Sequence, residues 1–287
     1  IKQDRPEFWT PNAKLQFSEL VGGEAIEGVF EFKSIPRNKR RLSTYPVFTS
    51  NKADISIKLS DEKATYTGGI QLKGNKLYGK SISREIGKLT ILDGRGNTVV
   101  LKSSDFALGD TLLSMRRGDV TIFHGKDSIY HKSVKAKYDM VSKVLRVLRT
   151  TDTRPYRSTY FDVSLNVDMI VWNMEKDSIA MEIMNGKDLL PATFESEEFF
   201  DNIRYKKLGK FLDFHPLNAA VFYALKYDLT EFYIGELALE YEINENYVKA
   251  AGKILSDYGF AEYDKSSGYI KLYPKAFHYY NSSAGKK

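Results

Sequence analysis

Imidazole chemistry, the commonest basis for general acid–base catalysis and metal binding, is limited to four positions in this 287-residue sequence: His124, His131, His215 and His278. His124 and His131 are close in sequence, in neighbouring strands or across a turn, so their rings could approach each other. A metal ion would need further ligands, and Asp119 or Asp127 could supply them. Because histidines on strand faces and in turns are far more often structural, we expect no metal site and no cofactor.

The other reactive side chains form no recognisable catalytic motif. Asp139, Asp162 and Asp168 fall in the strand-rich part of the chain, but their spacing pairs no two of them as a glycosidase acid and nucleophile. The sequence lacks the motifs G-x-S-x-G, G-x-x-x-x-G-K-[ST], G-x-G-x-x-G and H-E-x-x-H. It contains no cysteine, which excludes disulfides, thiolate nucleophiles and Cys-ligated metals. We therefore predict that the protein is not an enzyme.

Length and composition indicate a globular chain of about two domains. Hydrophobic residues make up 42% and charged residues 28%, which is typical of folded proteins. No apolar run approaches the roughly 18–20 residues of a membrane span, so we predict no transmembrane segment in this chain. The chain begins with Ile1 rather than Met, and we expect it to be an internal segment of a larger protein.

The net charge of +6 allows an anionic partner without requiring one. A basic cluster follows Pro36 and comprises Arg37, Lys39, Arg40 and Arg41. These residues could contact an anion, or they could protect a strand edge from pairing with another chain. We favour edge protection.

Period-two alternation of β-branched and aromatic residues dominates from about Val29 to Ile183. Predicted strands recur about every ten residues and are separated by turn dipeptides such as Gly68-Gly69 and Asp93-Gly94. We predict a mostly antiparallel or layered β region, either a jelly roll or barrel closed by hairpins or a solenoid-like stack. The layered, open-ended arrangement is slightly favoured.

The C-terminal part changes to helical periodicity. Helices are predicted after His215-Pro216, over TEFYIGELALEYE, and after Asn244, where the third helix should end with Gly259 in a left-handed conformation. FAEYD and YIKLYPK then flank a polar turn, which predicts two strands. This order, and the phrase ILSDYGFAEYDKSSGYIKL, resemble the winged helix-turn-helix family. The fold class expected for the whole chain is therefore α+β.

The resemblance implies a possible DNA reader whose third helix enters the major groove. Its contacts would be Asn246, Lys249, Lys253 and Lys265. No arginine occurs from Ile243 to Lys287, so bidentate recognition of guanine by arginine is excluded there, and several acidic residues would oppose the phosphates. We expect a structural or protein-binding module, with nucleic acid as the alternative partner.

Aromatic residues crowd the segment between the two predicted regions, where Pro191 precedes FESEEFF. We predict a short junction helix whose aromatic side chains form an interface: Phe194, Phe199, Phe200 and Tyr205. The alternative is that they fill the core of the C-terminal domain. The expected organisation is an extended lead-in (1–24), a β-rich domain (25–188), the junction helix (189–213), the winged-helix-like domain (214–280) and a polar tail (281–287).

Several phrases in succession, among them FTSNKADISIKL, YTGGIQLKG, GKDSIYHK and FESEEFFDNIRY, resemble an internal segment of very large cell-envelope proteins of Bacteroidota-type bacteria. VTIFHGKDSIYHKSVKAKYDMVSKVLRVL also resembles the layered strand units of the lipopolysaccharide-transport jelly-roll family. These resemblances imply a periplasmic or outer-membrane-associated scaffold that docks envelope proteins, other parts of the parent protein, or lipid. The alternative is a cytoplasmic DNA-binding regulator.

Overall fold

The structure, a computed structural model, describes residues 7–16, 25–35, 44–59, 63–150, 154–185 and 188–285. Its described residues form two compact units. The first unit takes residues up to 150 together with 168–191, and the second takes 154–167 together with 192–285. This division differs from the boundary expected near residue 189, because a hairpin within 154–167 pairs with a strand of the second unit. The basic cluster Arg37, Lys39, Arg40 and Arg41 lies outside the described residues.

The first unit is built from β-strands, and its described pairings are antiparallel. The strands are β1 (Glu7–Gln16), β2 (Ala25–Lys33), β3 (Val47–Ser50), β4 (Ile55–Leu59), β5 (Ala64–Gly68), β6 (Ile70–Lys73), β7 (Lys76–Gly79), β8 (Gly87–Leu92), β9 (Asn97–Ser103), β10 (Phe106–Leu108), β11 (Leu112–His124), β12 (Asp127–Asp139), β13 (Val144–Arg149), β16 (Met169–Asn173), β17 (Ile179–Asn185) and β18 (Asp188–Pro191). The sequence-based expectation of mostly antiparallel β structure is confirmed. The expected lead-in over 1–24 contains β1, which pairs antiparallel with β2.

Two ladders of strands share the long strands β11 and β12. One ladder runs β1-β2-β3-β6-β7-β10-β11-β12-β13-β16-β17-β18, and the other runs β4-β5-β8-β9-β11-β12. The chain changes ladder between successive hairpins, for example at Gly69 between β5 and β6. Within β11 the pairing register shifts around Gly118, where an added Cβ would lie 2.2 Å from the carbonyl oxygen of Lys102.

Alternate residues of these strands form the core of the first unit, as the period-two pattern predicts. The buried positions of the second ladder include Ile57, Tyr66, Leu89, Ile91 and Leu101. The intervening side chains are more exposed.

The strands of the second unit pair with one another in two antiparallel groups of three. One consists of β14 (Tyr156–Ser158), β15 (Val163–Asn166) and β19 (Thr193–Ser196), with β15 in the middle. The other consists of β20 (Glu231–Tyr233), β21 (Ala261–Tyr263) and β22 (Tyr269–Leu272), with β22 in the middle.

Its helices are α1 (Asn202–Leu208), α2 (Pro216–Tyr227), α3 (Gly235–Glu240), α4 (Glu245–Asp257) and α5 (Pro274–Ser283). The predicted helix over TEFYIGELALEYE is corrected, because its first residues form β20 and only residues 235–240 are helical. The expected polar tail at 281–287 begins inside α5, which the sequence analysis did not predict. The junction helix expected over 189–213 is also corrected: FES belongs to β19, and the helix α1 begins only at Asn202.

Polar caps and one glycine set the helix limits. Asp201 accepts hydrogen bonds from two amides of α1, and Asn244 accepts one from Asn246 at the start of α4. At the end of α4, Gly259 has φ +75°, as predicted, and the amides of Gly259 and Phe260 donate to carbonyls in the last turn. This bonding returns Phe260 to the core, where its ring lies 4.7 Å from that of Tyr279 in an edge-to-face arrangement.

Candidate functional site

The histidines in the second unit have structural roles. His215 caps α2: its Nδ1 accepts a hydrogen bond from the amide of Asn218, and its Nε2 lies 3.0 Å from the carbonyl oxygen of Tyr205. Burial lowers the pKa of His215 below its usual range despite that carbonyl contact. His278 lies on α5 with its Nε2 3.4 Å from the hydroxyl of Ser282. Both rings are therefore committed to local contacts.

The strand register separates the two histidines of the first unit. His124 is opposite Asp127, whereas His131 is opposite Val120 and is buried. His124 Nδ1 lies 2.6 Å from Asn97 Oδ1, and His131 Nδ1 accepts a hydrogen bond from the amide of Ser133. Among the described residues, no group of three histidine or acidic side chains is arranged to hold a metal ion.

The three aspartates considered as acids or nucleophiles are spread over separate turns. Asp139 accepts hydrogen bonds from the amides of Val141 and Ser142, which hold its pKa below the usual range. Asp168 binds Arg149. Asp162 lies at φ +46° in the turn between β14 and β15. Within the first unit, Asp139 and Asp168 lie at opposite ends of β13, so these two carboxylates form no catalytic pair.

The lysines on the outer face of α4 are paired with carboxylates of the same helix. Asn246, Lys249 and Lys253 are all exposed on this helix. Lys249 Nζ lies 2.6 Å from Glu245 Oε1, one helical turn earlier, and Lys253 binds Asp257, one turn later. Each lysine that could contact a phosphate on this helix therefore already faces a carboxylate.

The turn between β21 and β22 is organised around a negative charge. The hydroxyl and amide of Ser266 donate to Asp264 at 2.7 and 2.9 Å, and the hydroxyl of Ser267 donates at 2.8 Å. These hydrogen bonds lower the pKa of Asp264 to about 2. Lys265 is exposed beside this carboxylate, and Lys271 on β22 pairs with Glu231 at 3.3 Å.

The predicted aromatic interface divides into two kinds of side chain, all in the second unit. Phe200 and Tyr205 pack against the unit's own core, and the Phe200 ring lies 5.0 Å from that of Tyr279. Phe194 and Phe199 are exposed, at 62% and 50%. The partly buried pair agrees with the core-filling alternative, and the interface role of the exposed pair stays a prediction.

A shallow apolar groove lies beside α2. Its volume is about 520 Å³, and its walls include Phe214, Phe222, Tyr241, Ile243 and Tyr280. Phe222 is half exposed, and Leu239 on α3, elsewhere on this unit, is 84% exposed. The hydroxyl of Tyr241 is buried and has no hydrogen-bond partner among the residues that the structure describes. Such a surface could take an apolar side chain of another protein.

An ionic cluster around the buried Lys275, at the start of α5, has no counterpart among the sequence-based predictions. Lys275 is only 1% exposed, and it and Arg204 both bind the same oxygen of Glu195, Oε1. Burial alone would raise the pKa of Glu195, but the hydrogen bonds and charges of Arg204 and Lys275 lower it below the usual value.

One sequence signal could have pointed to this cluster. Lys275 follows Pro274, a residue favoured at the first position of a helix. In such a helix Lys275 and Tyr279 share one face, with Ala276 beside them. A lysine on an apolar helix face indicates a buried partner of opposite charge.

Comparisons of the chain with models of protein families, with characterised proteins and with solved structures found no match. No helix in the described ranges has both the length and the apolar character needed to cross a membrane.

Proposed function

We propose that the chain is a non-enzymatic interaction segment of a larger protein, and that residues 214–280 form a winged-helix module that docks a protein rather than nucleic acid. The module's expected structure is supported by the element order α2-β20-α3-α4-β21-β22. It is also supported by the strand order β20-β22-β21, which joins the first strand to a two-stranded wing.

The pairing of lysines with carboxylates is the observation that favours a protein partner over nucleic acid. On the face that DNA readers of this family use, Lys249, Lys253 and Lys271 each have a carboxylate partner. Phosphate binding would have to displace those carboxylates, and the released carboxylates would repel the phosphates. Affinity from counterion release would therefore be small.

The exposed apolar side chains favour a protein partner. Aromatic residues are enriched at the centres of protein interfaces, whereas lysine and glutamate are depleted there. Phe214, Phe222 and Ile243 line the groove beside α2. We assign as its occupant a protein segment that inserts an aliphatic or aromatic side chain.

A location in the cell envelope is part of this proposal and rests on the sequence resemblance. The proposed partners are envelope proteins or other parts of the parent protein, with lipid as a further candidate. Fractionation of the source cells with an antibody against this chain tests the location. Recovery in the envelope fraction is expected, and recovery in the cytosolic fraction would contradict it.

Fluorescence anisotropy with a labelled random-sequence duplex tests the choice against nucleic acid. At about 150 mM salt we expect no binding tighter than the non-specific range of about 10⁻⁴–10⁻⁶ M. Submicromolar, salt-sensitive binding that is lost in the double variant Lys249→Glu/Lys253→Glu would replace the docking proposal with a DNA-reading one.

Selection of displayed peptides on the full chain tests the groove directly. We expect enriched peptides to share an apolar anchor and to bind about tenfold more weakly to Phe222→Ser, because the anchor loses its apolar contact. Phe123→Ser, which changes an exposed phenylalanine of the first unit, serves as the matched control. Equal loss in both variants, or selected peptides without an apolar anchor, would contradict the groove assignment.

A further inference from the structure

A polar cavity of about 250 Å³ lies in the second unit, distinct from the groove beside α2. Its walls come from β15, β19, the first turn of α1, the end of α4 and the start of α5. The charged side chains that line it are Lys275, Arg204, Glu195 and Asp257, and Asn166 and Thr193 add polar groups.

The cations in this cavity have more hydrogen-bond donors than the cluster has acceptors. Lys275 and Arg204 share one oxygen, Oε1 of Glu195. An ammonium group has three N–H donors, and the other described contact of Lys275 is with the face of the Phe260 ring, 5.8 Å away. Because Lys275 is 1% exposed, hydrogen bonds that its ammonium group leaves unmade are costly.

The lining holds two cations, Lys275 and Arg204, and two carboxylates, Glu195 and Asp257. Glu195 binds both cations, whereas Asp257 binds Lys253, which lies outside the lining. Asp201 also acts electrostatically on Arg204. Lys275 also lies in the first turn of the ten-residue helix α5, and the N-cap residue Tyr273, which precedes this helix, makes no side-chain capping bond. The positive end of the helix dipole adds to the positive potential there.

We propose that this cavity binds a phosphate group, with Lys275 and Arg204 as its charged ligands. A tetrahedral phosphate offers several acceptor oxygens, which matches the spare donors of an ammonium and a guanidinium group better than a single further acceptor would. Thr193 lines the same cavity, and its hydroxyl can donate to a further oxygen. The phosphate belongs either to free inorganic phosphate or to a small phosphomonoester, since about 250 Å³ exceeds the volume of the anion alone.

Calorimetric titration of the full chain tests the site with inorganic phosphate, phenyl phosphate and a nucleoside monophosphate, at constant ionic strength and pH 7. We expect saturable binding of one equivalent by at least one of the three. Equal affinity for all three identifies free phosphate as the ligand, and tighter binding of an ester identifies a phosphomonoester. The absence of saturable binding by all three would overturn the proposal.

Variants connect the binding to the cavity. Arg204→Gln and Lys275→Met should each weaken phosphate binding about tenfold or more, because each removes a charge-assisted hydrogen bond. Lys271→Met removes an exposed lysine of β22 and should leave the affinity unchanged. Equal weakening by Lys271→Met would indicate general surface attraction and an adventitious ion only.

Glu195→Gln gives an opposite and independent result, which matters if Lys275→Met fails to fold. Removing this carboxylate frees both cations from their shared acceptor, so phosphate affinity should rise about threefold or more. A purely structural ion cluster would show no such gain. Unchanged or weaker phosphate binding in a folded Glu195→Gln variant would overturn the assignment.

Discussion

The ring of Tyr66 occupies the space that a side chain at Gly79 would need. A Cβ added at Gly79 would lie 2.5 Å from Cζ of Tyr66, and Cβ atoms added at Gly68 and Gly87 would lie 2.3 and 2.6 Å from its hydroxyl oxygen. That hydroxyl donates a hydrogen bond to the carbonyl of Gly69 at 2.8 Å. Burial raises the pKa of Tyr66 above its usual range, so the phenol stays protonated at neutral pH. One aromatic ring thus explains why glycine is needed on three strands.

Gly79→Ala should destabilise the first unit by about 1–3 kcal/mol, because the added methyl group meets a rigid ring that is packed on all sides. Urea unfolding followed by tryptophan fluorescence measures this, since Trp172 is buried in the first unit. Gly235→Ala, whose Cβ would meet no neighbouring atom within 4 Å, is the control and should unfold like the parent. An unchanged midpoint for Gly79→Ala would contradict the packing argument.

The sequence could predict strands in this region but could not predict this packing. Gly68-Gly69 was assigned to a turn, which is correct in part because the chain changes ladder at Gly69. The need for glycine at Gly79 and Gly87 arises from a ring on another strand. Such a contact between strands leaves no trace in local periodicity.

Phe200→Ala should destabilise the second unit by about 2–3 kcal/mol, whereas Phe199→Ala should change it little. Phe200 stacks edge-to-face on Tyr279 and packs on the unit's core, while its neighbour Phe199 is half exposed. Hydrogen–deuterium exchange in α5 reports on this unit without relying on tryptophan. Equal protection of α5 in both variants would show that Phe200 is not a core residue.

The segment around Phe194 shows why a period-two pattern can be misread. Glu195 is half-buried and Glu197 is buried, whereas Phe194, a residue of β19, is exposed. Inward-facing glutamates are possible because Glu195 binds Arg204 and Lys275, and Glu197 accepts a hydrogen bond from Ser164. The prediction of a helix here assumed that the aromatic side chains form the buried face.

The candidate phosphate cavity could not be predicted from the sequence either, for a different reason. Glu195, Arg204 and Lys275 occupy three separate elements, and α5 was not predicted. No local motif relates a glutamate on a strand to a lysine 80 residues later. By contrast, Asn244 and Gly259 are local signals, and both were interpreted correctly as limits of α4.

Ser266→Ala should raise the pKa of Asp264 from about 2 towards its ordinary value of 3.8, because the largest of the stabilising hydrogen bonds is lost. A lowered folded-state pKa contributes stability above pH 4, and that contribution is lost as the pH falls from about 4 to about 2. The variant should lose it at a higher pH than the parent. Carbon-13 NMR titration of the Asp264 carboxyl measures the change in pKa. Ser283→Ala is the control. Identical titration curves for Ser266→Ala and the parent would exclude the hydrogen bond.

Gly259→Ala should destabilise the second unit by about 1–2 kcal/mol, since φ +75° is unfavourable for a residue with a Cβ. The added methyl group would also lie 2.9 Å from Cγ of Pro155 in the same unit. Gly259→Val should cost more, because its branched side chain enlarges the same contact. Exchange protection of the amide of Phe260, which donates to Leu255 at 2.8 Å, measures the effect. Protection as strong as in the parent in both variants would refute this reading of the helix end.

Asp228→Gly should stabilise the second unit by about 0.5–1 kcal/mol, which is the opposite effect at a matching position. The helix α2 ends much as α4 does, with the amide of Leu229 donating to the carbonyl of Ala224 at 2.8 Å, but the left-handed residue is an aspartate at φ +54°. Glycine relieves the backbone strain and removes a negative charge from the negative end of the helix dipole. Asp228→Asn removes the charge and keeps the side chain, so it separates the two causes. Exchange protection at the end of α2 should rise in the order parent, Asn, Gly, and a loss of protection in Asp228→Gly would show that the aspartate side chain itself holds this helix end.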